Sequence, residues 1–488
     1  MIHKSAAINS LETLDLFLLE NGHLASAAKS VLAQVFSGIC DPEWIGRVCY
    51  AITRACPGAV IAGATTGGEI CAERYFSSST IVSLSFFDSS SLALVSSPLK
   101  PGEEARASEL LEKAVVEDPG PVKGALLFTT PDTLNCNALL GSIHGRMPGL
   151  PLFGGCAAAL ESDTNPHVFC GDMVCDAGFV AVLFRGADLR MSREVFLGWT
   201  PAGRIMTITK SEGQRVFEID GMPAFEVYRK YLGIEDLSQI RLSSMEFPLL
   251  IHRGGHLIAS SAFSAHEDES VTYSLELKKG EQVQFSYAHI DTIIEGIGGL
   301  LQRLGDFAPE ALYVYSCFTR RFLLQEDIEI EIKEFNNIAP SAGFFTGGEI
   351  CNLGDMAPLL TVTTVLAALA EGAARPESYP VGAGHVLEVK DRVRLQMIRR
   401  FRHFLHAATQ DLVAANEELK RRMDEINRLR DIIPICSCCK KIRDDKGYWN
   451  QLEIYLREHS NMEFSHGLCP DCLKRLYPDI ADDILSDE

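Results

Sequence analysis

Ten residues of this chain occur twice. Residues 62–71 read AGATTGGEIC and residues 342–351 read AGFFTGGEIC, identical at eight of ten positions across a gap of 280 residues. Each copy follows an apolar, proline-punctuated approach, PGAVIAGA and APSAGFF. Self-similarity of this kind implies related structural units, which constrains a fold more than any local propensity. The main body is therefore expected to be two related halves, with both strand-to-Gly-Gly-Glu turns facing one shared cleft.

The remaining pattern is mixed α/β. Short β-rich runs at 58–63, 79–87, 91–96, 124–130, 167–174 and 178–184 alternate with helical windows at 103–117 and 134–145. Residues 1–57 read as helical and then loop-like. Strands at 203–208 and 215–219 precede a helix over about 223–232, and residues 247–287 are strand-rich, with KKGEQ (278–282) read as a hairpin turn. A helix near 289–304, a strand at 311–317, a helix near 322–335 and a strand at 341–346 close the second half. The Pro- and Gly-rich run ARPESYPVGAGH (374–385) ends the body. These breaks predict domains at 25–200, 201–375, 385–433 and 434–480: a duplicated two-part α/β body, a long coiled-coil helix and a small zinc-binding domain.

A chain of 488 residues has ample core to bury. Its net charge of −20 argues against sequence-independent contact with nucleic acid or an anionic membrane, both of which select a basic face. The longest apolar run, Ala357 to Ala370, falls short of the roughly 20 residues that span a bilayer. Acidic residues within the first 25 do not fit a signal peptide, and the expectation is a cytoplasmic protein. Ten of the 15 cysteines are scattered singly through residues 40–351, as small buried hydrophobes would be.

Beyond residue 385 the period changes. Ile398, Leu405, Leu412, Leu419, Ile426 and Ile433 stand seven residues apart, and Phe401, Ala408, Ala415 and Leu429 add a second row that Arg422 interrupts. No glycine or proline falls within 385–433. The narrow seam and charged remainder predict a parallel two-stranded coil, hence a homodimer through 398–433, in preference to one amphipathic helix docked on the body. Such a helix is about 70 Å long. His403 and His406 in FRHFLHAATQ are read as coil residues, because no ATP-binding signature accompanies them.

The remaining five cysteines lie within 436–472. Two Cys-x2-Cys knuckles, Cys436/Cys439 and Cys469/Cys472, are separated by 29 residues. Four thiolates suit a tetrahedral zinc ion, and a closed site of that kind is structural, with no open position for water. In a segment of about 50 residues the metal also supplies folding energy that a small core does not. Cys438 is read as a bystander and His466 as a hydrogen-bonding neighbour.

Candidate ligand residues cluster at the repeated turns: Thr66, Gly67, Gly68 and Glu69, with Thr346, Gly347, Gly348 and Glu349. Paired glycines let backbone N–H groups approach a ligand, and a carboxylate beside them pairs with an ammonium group. Equally, the glycines make a tight strand exit and the glutamate caps a neighbour. Arg320, three residues after Cys317 at a strand end, offers a bidentate fork to a ligand carboxylate, or else a salt bridge to Glu349 or Glu326. Gly154 and Gly155 are a further close-approach turn or a simple bend. Cys71, Cys156, Cys317 and Cys351 beside turns leave a cysteine-dependent enzyme as an alternative, with His144, His252, His256, His266 or His289 as base, but no local signature joins any such pair.

These phrases carry a resemblance. GATTGGEI, FGGCAAA (153–159), the stretch 198–233, SCFTRR and GFFTGGEI together resemble the FIST sensory domain, over roughly residues 25–375. The tail, with CxxCKKIRDDKGYW and FSHGLCPDC, is similar to a cysteine-rich extension of bacterial signalling proteins; Cys438 departs from its pattern. The resemblance implies an input role: binding an amino acid or related metabolite and passing the signal to a separate partner. It also implies a haem-based nitric-oxide sensor as an alternative, although no haem-ligating histidine matches a motif position here.

Overall fold

Three repeats of one topology build the body, and the duplicated phrase marks two of them. The computed structural model describes residues 1–373, apart from 119, 132, 161–163, 289 and 325–327, and in the remainder 409, 412–413, 416–425, 434–444, 446–459, 464–481 and 485. The first repeat comprises strand Ile2–Ile8, helix Leu11–Asn21, strand Ser30–Ser37, helix Pro42–Ala55, strand Val60–Thr65, a hairpin (Glu69–Cys71 and Arg74–Phe76) and a fourth strand, Thr80–Phe87. The second runs Ser91–Pro98, helix Glu104–Glu117, Val122–Thr129, helix Cys136–Arg146, Leu152–Cys156, hairpin Val168–Cys170/Met173–Cys175 and Gly178–Arg185. The third opens with Leu189–Phe196 and resumes after an insertion. It continues with helix Ile290–Phe307, strand Ala311–Cys317, helices Phe318–Leu324 and Ile328–Ile338, Ser341–Thr346, hairpin Glu349–Cys351/Leu359–Leu360 and Thr364–Glu371.

Each repeat forms a sheet in the order first–fourth–second–third strand, and each sheet is completed by a hairpin from another repeat. Glu69–Cys71 pairs with Ser341–Thr346, Glu349–Cys351 with Leu152–Cys156, and Val168–Cys170 with Val60–Thr65. The exchange closes a three-membered cycle, so no sheet is complete without its neighbour. The second and third strands are parallel in every repeat, each joined by a helical crossover.

Alternation along the second strands separates two packing surfaces. Phe36, Phe128 and Tyr315 occupy corresponding positions and face a common core, with ring centroids 6.2, 6.5 and 5.9 Å apart. Phe344 packs against all three. The neighbouring residues point outward onto each repeat's own helices: Val35 toward Leu14 and Ile52, Leu127 toward Leu111 and Leu139, Val314 toward Leu300 and Ile332. Burying each such side chain is worth about 1.5–3 kcal/mol. Local signals start the helices, in the expected window for Cys136–Arg146 but for Pro42–Ala55 within a stretch read only as helical and then loop-like. Asp41 caps Pro42–Ala55 by accepting from the Glu43 N–H, and Asn135 caps Cys136–Arg146 by accepting from the Ala138 N–H.

The insertion carries an eight-stranded antiparallel sheet from Trp199 to Ala288, with helices Ala224–Leu232 and Ile240–Glu246. Several expectations change. Strands Ile2–Ile8 and Ser30–Ser37 lie where helix and loop were read, so the body reaches back before residue 25. Short strands with apolar residues on both faces have no period that separates them from a buried helix. Residues 278–282 turn the chain, but the strands on either side are not neighbours in the sheet. The helix expected over 322–335 is two helices, Phe318–Leu324 and Ile328–Ile338.

Residues 387–488 form a separate compact unit. Within it 416–425 are helical, strands Ile442–Arg443 and Trp449–Asn450 pair, and helices Leu452–His459 and Pro470–Leu476 follow. Leu412 and Leu419 of the heptad ladder are exposed, and Glu418 pairs with Arg422 one turn on. Ile398, Leu405, Ile426 and Ile433 lie outside the described residues. No helix among the described residues is long and apolar enough to cross a membrane.

Candidate functional site

The crossovers meet in a ring of backbone hydrogen bonds. Gly67 N–H donates to the Phe345 carbonyl (2.9 Å), Gly347 N–H to that of Cys156 (3.0 Å) and Ala158 N–H to that of Thr65 (2.9 Å). The third strands enter this ring through Gly63, Gly154 and Gly343, which correspond by register. A Cβ on Gly343 would lie 1.8 Å from the Val314 carbonyl oxygen, and one on Gly154 2.1 Å from that of Leu127. What approaches Gly154 and Gly155 closely is the chain itself.

The two glutamates of the repeated phrase are fully buried inside this ring. Glu69 accepts from the Thr66 hydroxyl (2.5 Å) and the Ser79 N–H (3.0 Å). Glu349 accepts from the Thr346 hydroxyl (2.6 Å), and from the Thr363 hydroxyl (2.6 Å) and N–H (3.2 Å). Burial pushes both carboxyls up to about 7 against the pull of these donors. Each carboxylate latches the start of a crossing hairpin to the start of its fourth strand. Gly67 and Gly68 are covered by Phe318 and Arg321, whose guanidinium donates to the Gly67 carbonyl.

Arg320 is equally occupied. It is fully buried, donates to Glu331 (2.7 Å) and to the Leu197 carbonyl (2.7 Å), and lies between the rings of Phe196 and Trp199. Its carboxylate partner is Glu331 and not Glu349, and Glu326 lies outside the described residues. Burial pushes the Cys317 thiol up to about 12, which leaves it a poor nucleophile.

The second repeat breaks the latch. At the positions of Thr66–Glu69–Ser79 and Thr346–Glu349–Thr363 it carries Ala157, Val168 and Gly178. Two residues separate threonine from glutamate in the other repeats, whereas ten separate Ala157 from Val168. A cavity of about 780 Å³ opens beside this crossover. Its floor lies at the C-terminal ends of parallel strands, where Pro131, Ala157–Leu160, Phe318 and Gly347 follow four of them. Gln214, Arg241, Phe263 and Ser274 of the insertion complete the wall, beside Asn135, Cys136 and Asn137 at a helix N-terminus.

Asn137 and Gln214 both donate to the Ser274 carbonyl (2.8 and 3.0 Å), and the Asn137 bond ties the second repeat to the insertion. Arg241 is the one charged side chain among the described lining residues. Of the residues expected from sequence, Gly347 alone reaches this cavity. Asn135 was legible as a helix cap. No local signal joins it to Arg241 or Phe263, which arrive from an insertion a hundred residues away. Among the described lining residues there is no histidine, so this cavity does not offer an imidazole to a haem.

In the tail, Cys436 and Cys439 meet at one turn and Cys469 and Cys472 at another. The Cys436 thiol is drawn below its ordinary value by the backbone N–H groups of Cys439 and Cys438, and the Cys469 thiol by those of Cys472 and Asp471. Each turn thus brings two sulfur atoms together, with the Cys472 thiol held above its ordinary value by its hydrogen bond with Cys469. Among the described residues, no three His, Cys, Asp or Glu side chains converge on one point.

The family model of the FIST N domain matches residues 31–222, and that of the FIST C domain matches residues 224–352. This chain belongs to the FIST family. FIST domains are sensory domains of signal-transduction proteins. The boundary between the two FIST domains falls inside the insertion, so the FIST N match runs from the second strand of the first repeat through the second repeat and the opening strand of the third. An uncharacterized protein of Methanocaldococcus jannaschii is 24% identical over 195 residues, a match covering 37% of this chain and 38% of that relative's length. Among solved structures, a cyanuric acid hydrolase from A. caulinodans covers 76% of this chain and 99% of its own at 9% identity and TM-score 0.32. A chorismatase covers 75% and 97% at 10% identity and TM-score 0.29.

Proposed function

We propose that this FIST protein senses a small metabolite carrying a carboxylate, an amino acid or a relative of one, bound in the cavity beside the second crossover. The observation that carries the reading is the coincidence of that cavity with the one crossover of three that has lost its latch. Arg241 and the first turn of helix Cys136–Arg146 supply positive potential at one end, and Phe263, Leu160 and Leu359 supply apolar surface for the remainder. Ligand closure between the insertion and the repeats would shift the position of the body's end. The helix over 398–433, paired with a second copy, would carry that shift to a separate signalling protein.

On this reading the chain is a binding protein and not an enzyme. A zinc ion on Cys436, Cys439, Cys469 and Cys472 would hold the tail together by cross-linking its two turns. Metal analysis of the purified full chain is expected to give one zinc per chain, lost on Cys469→Ser.

Native and denaturing mass spectrometry of the full chain tests the ligand site. The wild type is expected to release a small carboxylate that Ala159→Trp, which fills the cavity, no longer retains at an unchanged thermal midpoint. Arg241→Ala is expected to weaken its binding about tenfold or more. Release of the same molecule from wild type and Ala159→Trp alike would place the ligand elsewhere.

A further inference from the structure

Two of the body's cysteines touch. Cys156 ends the strand Leu152–Cys156, Cys136 begins the helix Cys136–Arg146, and their sulfur atoms lie 3.7 Å apart. Both are buried, yet Cys136 lines the cavity and so meets whatever small solute enters it.

We propose that Cys136 and Cys156 are a redox-active dithiol that hydrogen peroxide, entering through the cavity, closes into a disulfide. Peroxide transfers oxygen to the Cys136 sulfur, giving a sulfenic acid and one water. The Cys156 sulfur then attacks the Cys136 sulfur, the S–S bond forms, the S–O bond breaks, and hydroxide leaves with the Cys156 proton as a second water. Two thiols lose two electrons and peroxide gains them. Two equivalents of a monothiol such as glutathione reverse the step.

The geometry says which side moves. A disulfide needs its sulfurs about 2.0 Å apart, so the pair must close from 3.7 Å. Cys156 is held in the crossover ring, its N–H donating to the Gly348 carbonyl (2.8 Å) and its carbonyl accepting from Gly347 (3.0 Å). Closure therefore displaces the first turn of helix Cys136–Arg146, where Asn135 and Asn137 form the cavity wall. Oxidation and the shape of the cavity are coupled, whatever the cavity binds.

The test uses the reduced full chain, treated with hydrogen peroxide, alkylated and mapped as peptides without reduction, since exposed tail cysteines such as Cys438 and Cys439 also react. A Cys136–Cys156-linked peptide pair is expected in the wild type, removed by glutathione and absent from Cys136→Ser. Hydrogen exchange across residues 133–147 is expected to change several-fold on oxidation. Separate alkylation of both cysteines after the tail thiols have oxidised overturns the proposal, and the wild-type map decides it even if the variant misfolds. A linked pair with unchanged exchange overturns the coupling to the cavity.

Discussion

The crossovers at Thr66–Glu69 and Thr346–Glu349 differ from the one at Ala157–Val168 in a single coordinated way. In the first two, threonine, glutamate and a serine or threonine on the fourth strand form a closed, buried hydrogen-bond set. In the last, all three positions are apolar or glycine, the connection is longer, and a cavity opens beside it. Partly satisfied buried networks are worse than none, so the three positions change together or not at all. Conspicuous sequence identity here marks structural closure, and its loss marks the place where a cavity opens.

Three sets of substitutions would break or sharpen that contrast. The largest effect is expected from Val168→Glu, which puts a carboxylate in the second repeat without its threonine. It is expected to destabilise the body by about 3–5 kcal/mol at pH 8, and by less at pH 5, where the carboxyl is protonated. Adding Ala157→Thr is expected to recover about 1–2 kcal/mol. Urea denaturation of both variants decides the matter, and no recovery would mean that the latch depends on more than this pair.

Next comes Gly343→Ala, whose methyl group meets the Val314 carbonyl oxygen. A loss of about 3 kcal/mol is expected. Gly154→Ala should cost at least as much, because it meets the corresponding carbonyl at a φ of +139°, while the atoms nearest a methyl group on Gly63 are those of the Phe169 ring and a smaller loss is expected. Equal losses at all three positions would mean that the Phe169 ring yields no more readily than the backbone carbonyls.

Per pH unit and per carboxyl, the smallest effect is a slope against pH. A carboxyl raised from 4.5 to about 7 holds its proton better in the folded chain than in the unfolded one. Its contribution to stability is complete below pH 4.5 and is lost as the pH rises through about 7, at about 1.4 kcal/mol per pH unit for each group. Glu69→Gln and Glu349→Gln should each remove one share of the slope between pH 5 and 7, and the pair should flatten it. A wild-type curve already flat over that range would show the carboxylates ionised throughout.

Much of this was legible in the chain. Helices with cap residues, such as Asn135 before Cys136–Arg146, and most strands of the second repeat fell where their patterns put them. The third copy of the crossover hid in FGGC at 153–156, where only the glycine shared with Gly63 and Gly343 survives. The binding reading of Glu69, Glu349 and Arg320 drew on sound chemistry. Their partners Thr66, Thr346 and Glu331 lie within 11 residues in sequence, yet nothing local says that all are sealed from water.

By itself the sequence determined the α/β alternation, the repeat, the heptad period and the paired Cys-x2-Cys turns, because periodicity and short-range geometry are properties of neighbouring residues. Only the tertiary structure decided that hairpins are exchanged among three sheets, that the glutamates are latches, and that Asn135, Cys136 and Arg241 share a cavity. Burial depends on which distant segment covers a residue. For Glu349 the cover is a strand nearly two hundred residues earlier in the chain, Leu152–Cys156.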